Sequence, residues 1–380
     1  MERVAVLPEM LRWARQRADR DVPSLLGKFP KLELWERGEQ QPTLRQLEGL
    51  ASALRVPIGY LFLSEPPVEK LPVPDYRTLG GQQPGRPSPD LLDTIYACEQ
   101  RQEWYRDFAR SLGEKSLPFV GSVALASDFT AVAASMREAL RFNLAERRRL
   151  PNWTEALRQF IEQADALGVL VMVSGIVGSN TRRKLDPEEF RGFALVDELA
   201  PLVFVNGADT KAAQMFTLAH ELAHLWLGRS AVSNVSAGGF PEHEVELWCN
   251  RVAAELLIPL VAVHREYRPE AGLWQEVKRL ARCFKVSSLV VLRRIYDAGG
   301  IRRDRFWAAY REEVERLLAL PRASGGDFYR TAPIRVSKRF ARALVISTLE
   351  GQTLHRDAFR MLGCARLSTF HELGHSLGVM

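Results

Sequence analysis

The sequence predicts an α+β protein that is mainly helical, with one small β-sheet just ahead of the helix that carries its chemistry. Three observations lead there. Apolar residues recur at helical spacing, as in Leu7, Met10, Leu11 and Ala14 near the start. The period changes over Val169 to Ser174, Gly192 to Val196 and Pro201 to Asn206, short β-rich runs separated by turn residues. Directly after them Phe216 to Leu227 reads FTLAHELAHLWL, a helix with His220, Glu221 and His224 in the H-E-x-x-H arrangement.

Composition sets the frame. With 380 residues, 46% of them hydrophobic and 26% charged, the chain has the makeup of a soluble globular protein of two or three domains. No run approaches the length of a membrane span, and Met1-Glu2-Arg3 does not lead into a signal-peptide core. Cys98, Cys249, Cys283 and Cys364 are far apart and form no C-x-x-C pair. That suits a reducing compartment, so a cytoplasmic protein is expected. The net charge of +6 permits a nucleic-acid partner without requiring one.

Residues 1–67 predict a small helical module. Pro42-Thr43 is a clean start for an apolar helix, with the apolar run over Leu47 to Val56. The string Trp35-Glu36-Arg37-Gly38-Glu39-x-x-Pro42-Thr43, with Leu50-Ala51 and Val56-Pro57 beyond it, resembles the XRE-type helix-turn-helix regulators. That resemblance implies a recognition helix just before Trp35, with Lys28, Lys31 and Arg37 as candidate nucleic-acid contacts and operator DNA as the partner. The sequence departs from the pattern there. The stretch from Leu25-Leu26 to Trp35 is short, Pro30 falls inside it, and Glu33 and Glu36 accompany the basic residues. A module that contacts protein is the competing expectation.

Residues 68–92 predict a Pro/Gly-rich linker, in which nothing suggests chemistry. Residues 93–300 form the central domain. Long helices are expected over Leu91 to Leu112, Phe129 to Phe142 and Trp153 to Leu167, then the strands and the histidine helix, then a helix pair from Val277 to Tyr296. His220 and His224 lie on one helix face, about 40° apart around the axis. Two histidines on a buried helix point to a metal, and a zinc site needs a third protein ligand. Glu242, His243, Glu244 and Glu246 are the candidates ahead of the next apolar helix.

Here Phe216-Thr217-x-Ala219-His220-Glu221-x-x-His224 is followed by Glu246-x-x-Cys249-Asn250-x-Val252-Ala253-Ala254-x-Leu256-Leu257-x-Pro259. The two motifs together resemble the ImmA/IrrE metallopeptidases, with Cys249 and Val252 as departures from the family's Ala and Phe. The resemblance implies a zincin-like fold, His220, His224 and Glu246 as zinc ligands, and Glu221 as general base. It also implies regulated cleavage of a transcriptional repressor as the function. Manganese or iron would also suit such a ligand set. The alternative expectation is a non-proteolytic antitoxin or transcriptional regulator that binds a toxin or DNA with the same scaffold. His243, His264 and Tyr267 are candidates for oxyanion contact.

Residues 301–380 predict a basic helical tail with Arg335, Lys338, Arg339 and Arg342 on one side. It ends in a second H-E-x-x-H pattern at His371, Glu372 and His375. Gly374 and Gly378 weaken a helix there and no acidic helix follows, so a chance or surface motif is expected rather than a metal site.

Overall fold

The computed structural model describes residues 3–77, 86–234, 243–318 and 334–380. Two compact units divide the chain: residues 1–72 with 85–93, and residues 73–84 with 94–380.

In the first unit α1 (Pro8–Arg17), α2 (Pro23–Leu26), α3 (Leu32–Glu36) and α4 (Leu44–Leu54) lead into a 3-10 turn, Ile58–Phe62. Thr43 caps α4 reciprocally, accepting from the Gln46 backbone N–H while the Gln46 side chain accepts from its own. Met10, Leu11, Leu32, Trp35, Leu47, Leu50 and Leu54 form the core. Arg15 clasps the buried Glu36 with two hydrogen bonds of 2.7 and 3.1 Å. The segment expected to hold a recognition helix forms only the five-residue α3. Pro30 cannot sit inside a helix, and Phe29 is spent in the core. Lys28, Lys31 and Arg37 flank α3 on the surface, and Arg37 lies 3.6 Å from Glu33.

The second unit contains most of α5 (Pro89–Ser111), then α6 (Phe129–Ala139), α7 (Leu144–Arg149) and α8 (Trp153–Leu167). Strands β1 (Leu170–Ser174), β2 (Gly192–Leu195) and β3 (Leu202–Asn206) precede α9 (Lys211–Leu227), and β4 (Ala231–Ser233) follows it. The sheet order is β1-β3-β2-β4, with β1 and β3 parallel and the other pairs antiparallel. Then come α10 (Glu244–Leu257), α11 (Leu260–Glu266), α12 (Leu273–Phe284), α13 (Ser288–Asp297), α14 (Arg303–Leu318), α15 (Lys338–Leu349), α16 (His355–Leu362) and α17 (Leu367–Ser376). The fold is thus α+β and mainly helical, with a small mixed sheet.

The sheet is covered on both faces, which is why its strands read as continuous apolar runs. Val171, Ala194, Val203 and Val205 join the core made by α6, α8, α9 and α10. The alternate residues turn the other way: Phe193 and Phe204 stack at 4.9 Å, and Met172 meets Cys98 and Arg101 of α5. Burying each such Phe or Leu contributes roughly 1.5–3 kcal/mol. The tail is part of this unit. Phe340, Ala341, Leu344 and Val345 of α15 are buried, Lys338 pairs with Glu162 at 3.1 Å, and Arg339 donates to the Tyr105 hydroxyl at 2.6 Å. Among the described residues no single helix is long and apolar enough to cross a membrane.

Candidate metal centre

Helix α9 is buried almost throughout: every residue from Gln214 to Leu227 is out of solvent. Thr210 caps its start and Gly228, at φ +70°, ends it in the left-handed conformation. The turn before it is fixed by Asn206, whose side chain donates to Phe190 O and accepts from Ala208 N, both at 3.0 Å. An all-round buried helix should be apolar. His220, Glu221 and His224, each with no exposed surface, break that rule.

Their partners come from the first two turns of α10. The Glu246 carboxylate lies 3.2 Å from His220 Nε2 through one oxygen and 3.0 Å from His224 Nε2 through the other. The two Nε2 atoms are 3.1 Å apart. Donor atoms placed 2.0–2.1 Å from a tetrahedral zinc are separated by about 3.3 Å. Three buried donors thus converge on the spacing such an ion needs, so the residues fit the metal that the motif implies. Their electrostatics are those of a coupled site. Burial works against the charge on Glu246, but the two imidazoles more than offset it and hold the carboxyl well below its usual range. Burial also lowers His220, against the opposing pull of Glu246. The neutral imidazole this favours is the form that ligates.

Further contacts orient the donors. Asn250, one helical turn after Glu246, places its Oδ1 3.1 Å from His220 Nδ1. With the proton on Nδ1, the Nε2 lone pair faces Glu246 and His224. Ser233, on β4, donates to Glu246 at 3.4 Å. Replacing Asn250 with Ala should weaken zinc binding about 10–100-fold, measured by competition with a chromophoric chelator.

Glu221 sits beside the cluster, and neither of its oxygens has a hydrogen-bond partner among the described residues. A buried carboxylate without a partner is costly. Burial and then the Glu246 carboxylate push its carboxyl well above the ordinary glutamate range, with the nearby Ser233 hydroxyl pulling weakly the other way. The space it occupies exists because residue 192 is glycine. A Cβ there would stand 2.6 Å from Thr217 Cγ2, 2.8 Å from Phe204 O and 3.0 Å from Glu221 Oε1. Only glycine lets β2 lie this close to the helix.

Cys249 is a second candidate on α10: its sulfur and one nitrogen of each histidine all lie within 4.8 Å of one another. Glu246 competes with it for the third place, since its carboxylate touches both imidazoles. The other residues singled out in the sequence fall elsewhere. Glu242 lies outside the described residues, Glu244 is exposed at the start of α10, and His264 is exposed on α11. Tyr267 lies under the Gly300 backbone, where a Cβ would come within 2.8 Å of its ring. His371 and His375 are exposed on α17, which forms a helix despite Gly374, and His375 Nδ1 lies 3.2 Å from Met380 O.

One residue by the site escaped the sequence reading, which found no chemistry in the linker. Tyr76 packs on the centre, with its ring 4.1 Å from that of His243 and 6.4 Å from that of His224, nearly parallel to the latter at 20°. The aromatic residue in Asp75-Tyr76-Arg77 was the available signal.

Residues 164–296 match the family model described as the IrrE N-terminal-like domain of the M78 peptidases, a segment that runs from the end of α8 to α13. The match supports the ImmA/IrrE family and a metallopeptidase-type function for this domain. Residues 336–376 match a domain of unknown function (DUF8813). No curated protein and no solved structure matches the chain.

Proposed function

We propose that the chain is a zinc-dependent endopeptidase whose substrate is a regulatory protein, in the first place a transcriptional repressor. The observation that carries this reading is the closure of His220, His224 and Glu246 to mutual distances of 3.0–3.2 Å beside an unpartnered, fully buried Glu221. These three residues would hold the metal, with Asn250 fixing the His220 tautomer. A divalent ion held there would supply Lewis acidity to a peptide carbonyl and to a water. Glu221 takes the proton from that water and passes it to the leaving amine. Its carboxylate is free for this role, since no donor among the described residues hydrogen-bonds to it. Burial keeps bulk water from competing for that proton.

The repressor as substrate draws its support from the N-terminal unit, whose sequence resembles regulator-type helix-turn-helix modules. Such a module would bring the peptidase to a regulatory complex by protein contact. The short α3 favours that role over reading of operator DNA by Lys28, Lys31 and Arg37.

The test uses purified full-length protein with zinc and the repressor encoded nearest to it. One discrete cut, absent when Glu221 is replaced by Gln, is expected. If the repressor stays intact and the Glu221→Gln chain still neutralises a linked toxin, the scaffold works by binding and the endopeptidase reading is lost. A salt-sensitive, sequence-specific complex with operator DNA, lost on replacing Lys28 and Lys31, would overturn the protein-contact role of the module.

A further inference from the structure

The sheet does not end at β4. Residues 74–76 lie alongside its outer edge in the parallel sense, where Val232 N–H donates to Pro74 O and Tyr76 N–H donates to Val232 O, both at 3.0 Å. The edge that this segment covers is the edge at the metal centre: the next residue, Ser233, bonds Glu246, and Tyr76 stacks towards His224. A latch holds the segment down. Arg77, with its side chain 1% exposed, donates twice to Asp75 at 2.7 Å and reaches Glu189 at 3.3 Å.

We propose that residues 74–77 are an internal occupant of the peptide-binding edge, and that an incoming substrate displaces them. The substrate is then an extended segment that pairs with the Val232 backbone and puts an aromatic side chain where Tyr76 lies, against His224 and His243. This inference rests on the endopeptidase reading and adds to it the substrate's shape and the reason the resting site is closed. The physical argument is the free edge. An unpaired strand edge captures extended chain through its backbone groups, with selectivity coming from side-chain pockets. Here the chain's own segment makes those hydrogen bonds and fills the one aromatic place. Being tethered, it competes at an effective concentration in the millimolar range. A peptide in solution therefore sees only the small fraction of molecules in which the strap is off.

The experiment uses the full chain loaded with zinc and carrying Glu221→Gln, so that nothing is consumed. The probe is a fluorescein-labelled peptide of residues 71–77, LPVPDYR, read by anisotropy. With Tyr76 present, binding should be barely detectable. With Tyr76→Ala in the protein, affinity should rise about ten-fold or more, whereas Tyr76→Phe should behave as the parent. A probe with alanine in place of its tyrosine should not bind. Hydrogen exchange on the parent protein with saturating peptide checks the mechanism without the Tyr76 substitution: the Tyr76 amide should lose protection while the Val232 amide keeps it.

Equal affinity in the parent and in the Tyr76→Ala protein, or a Tyr76 amide that stays protected while peptide binds, overturns the proposal. The two readings separate cleanly. A chain that exchanges strap for peptide but cleaves no protein retains the strap and loses the peptidase. With Glu221 restored, equal repressor cleavage by the parent and by the chain carrying Tyr76→Ala retains the peptidase and loses the strap.

Discussion

Replacing Glu221 with Gln should lower peptide hydrolysis by about 10²–10⁴-fold, the usual contribution of a positioned general base. The zinc content of the purified protein should stay at the parent level, because the substitution leaves His220, His224 and Glu246 untouched. The same substitution has a second expected effect, on stability, which needs no substrate. In the chelator-treated protein the Glu221 carboxyl is pushed up by burial and by the Glu246 carboxylate. A carboxyl whose folded-state pKa is raised binds its proton more tightly in the folded than in the unfolded chain. Its stabilising share is therefore full below the ordinary glutamate value of about 4.3 and is lost as pH rises towards the folded value. Glutamine does not titrate. Across that window the metal-free parent should lose about 1.4 kcal/mol per pH unit relative to metal-free Glu221→Gln, measured by urea unfolding at a series of pH values. Equal slopes would mean that the side chain finds a partner or solvent. The loss of turnover and the change of slope report the same fact, a carboxylate kept without partners in a dry site.

Much of this centre was legible in the sequence because it is local. Histidines four apart meet on one helix face whatever the tertiary fold, and the apolar walls around them announce burial. Glu246 was one of four candidates ahead of the next apolar helix, set apart by the family resemblance, and the strands before α9 followed from their change of period. Contacts made between distant segments were not legible. Strand β4 has three residues, too few for alternation to show, and it pairs with a linker segment more than 150 residues away in sequence. That segment contains Pro74 and no strand pattern, so Tyr76 read as part of a spacer. Cys249 read as a packing change, since a sequence does not show which buried thiol faces a cluster of imidazoles. In the N-terminal unit the shortness of the Leu26 to Trp35 stretch was visible, and the structure fills it with α3 and the buried Phe29. The basic side of the tail was visible in its sequence; that α15 puts its apolar side into the second unit was not.

Removing the metal should cost far more stability than any single contact around it. Only the folded chain brings α9 and α10 together, so binding energy adds to folding energy. At free zinc 1,000 times the dissociation constant the gain is about 4 kcal/mol. Chelation should therefore lower the unfolding midpoint by several degrees, with full recovery on adding zinc back, measured by calorimetry at fixed zinc activity. The ligands predict a graded pattern. His224→Ala and Glu246→Ala should each abolish both the bound zinc and the midpoint difference. Cys249→Ala should preserve both if Glu246 is the third ligand, as its contacts with both imidazoles indicate. The opposite pattern, zinc kept by Glu246→Ala and lost by Cys249→Ala, would transfer the site to the His-His-Cys set. The double substitution His371→Ala/His375→Ala serves as the control. These residues repeat the motif on an exposed helix, where water already solvates the imidazoles and no third donor among the described residues converges. Zinc content and midpoint should not move, because spacing on a helix makes two ligands available but a metal centre also needs the buried third.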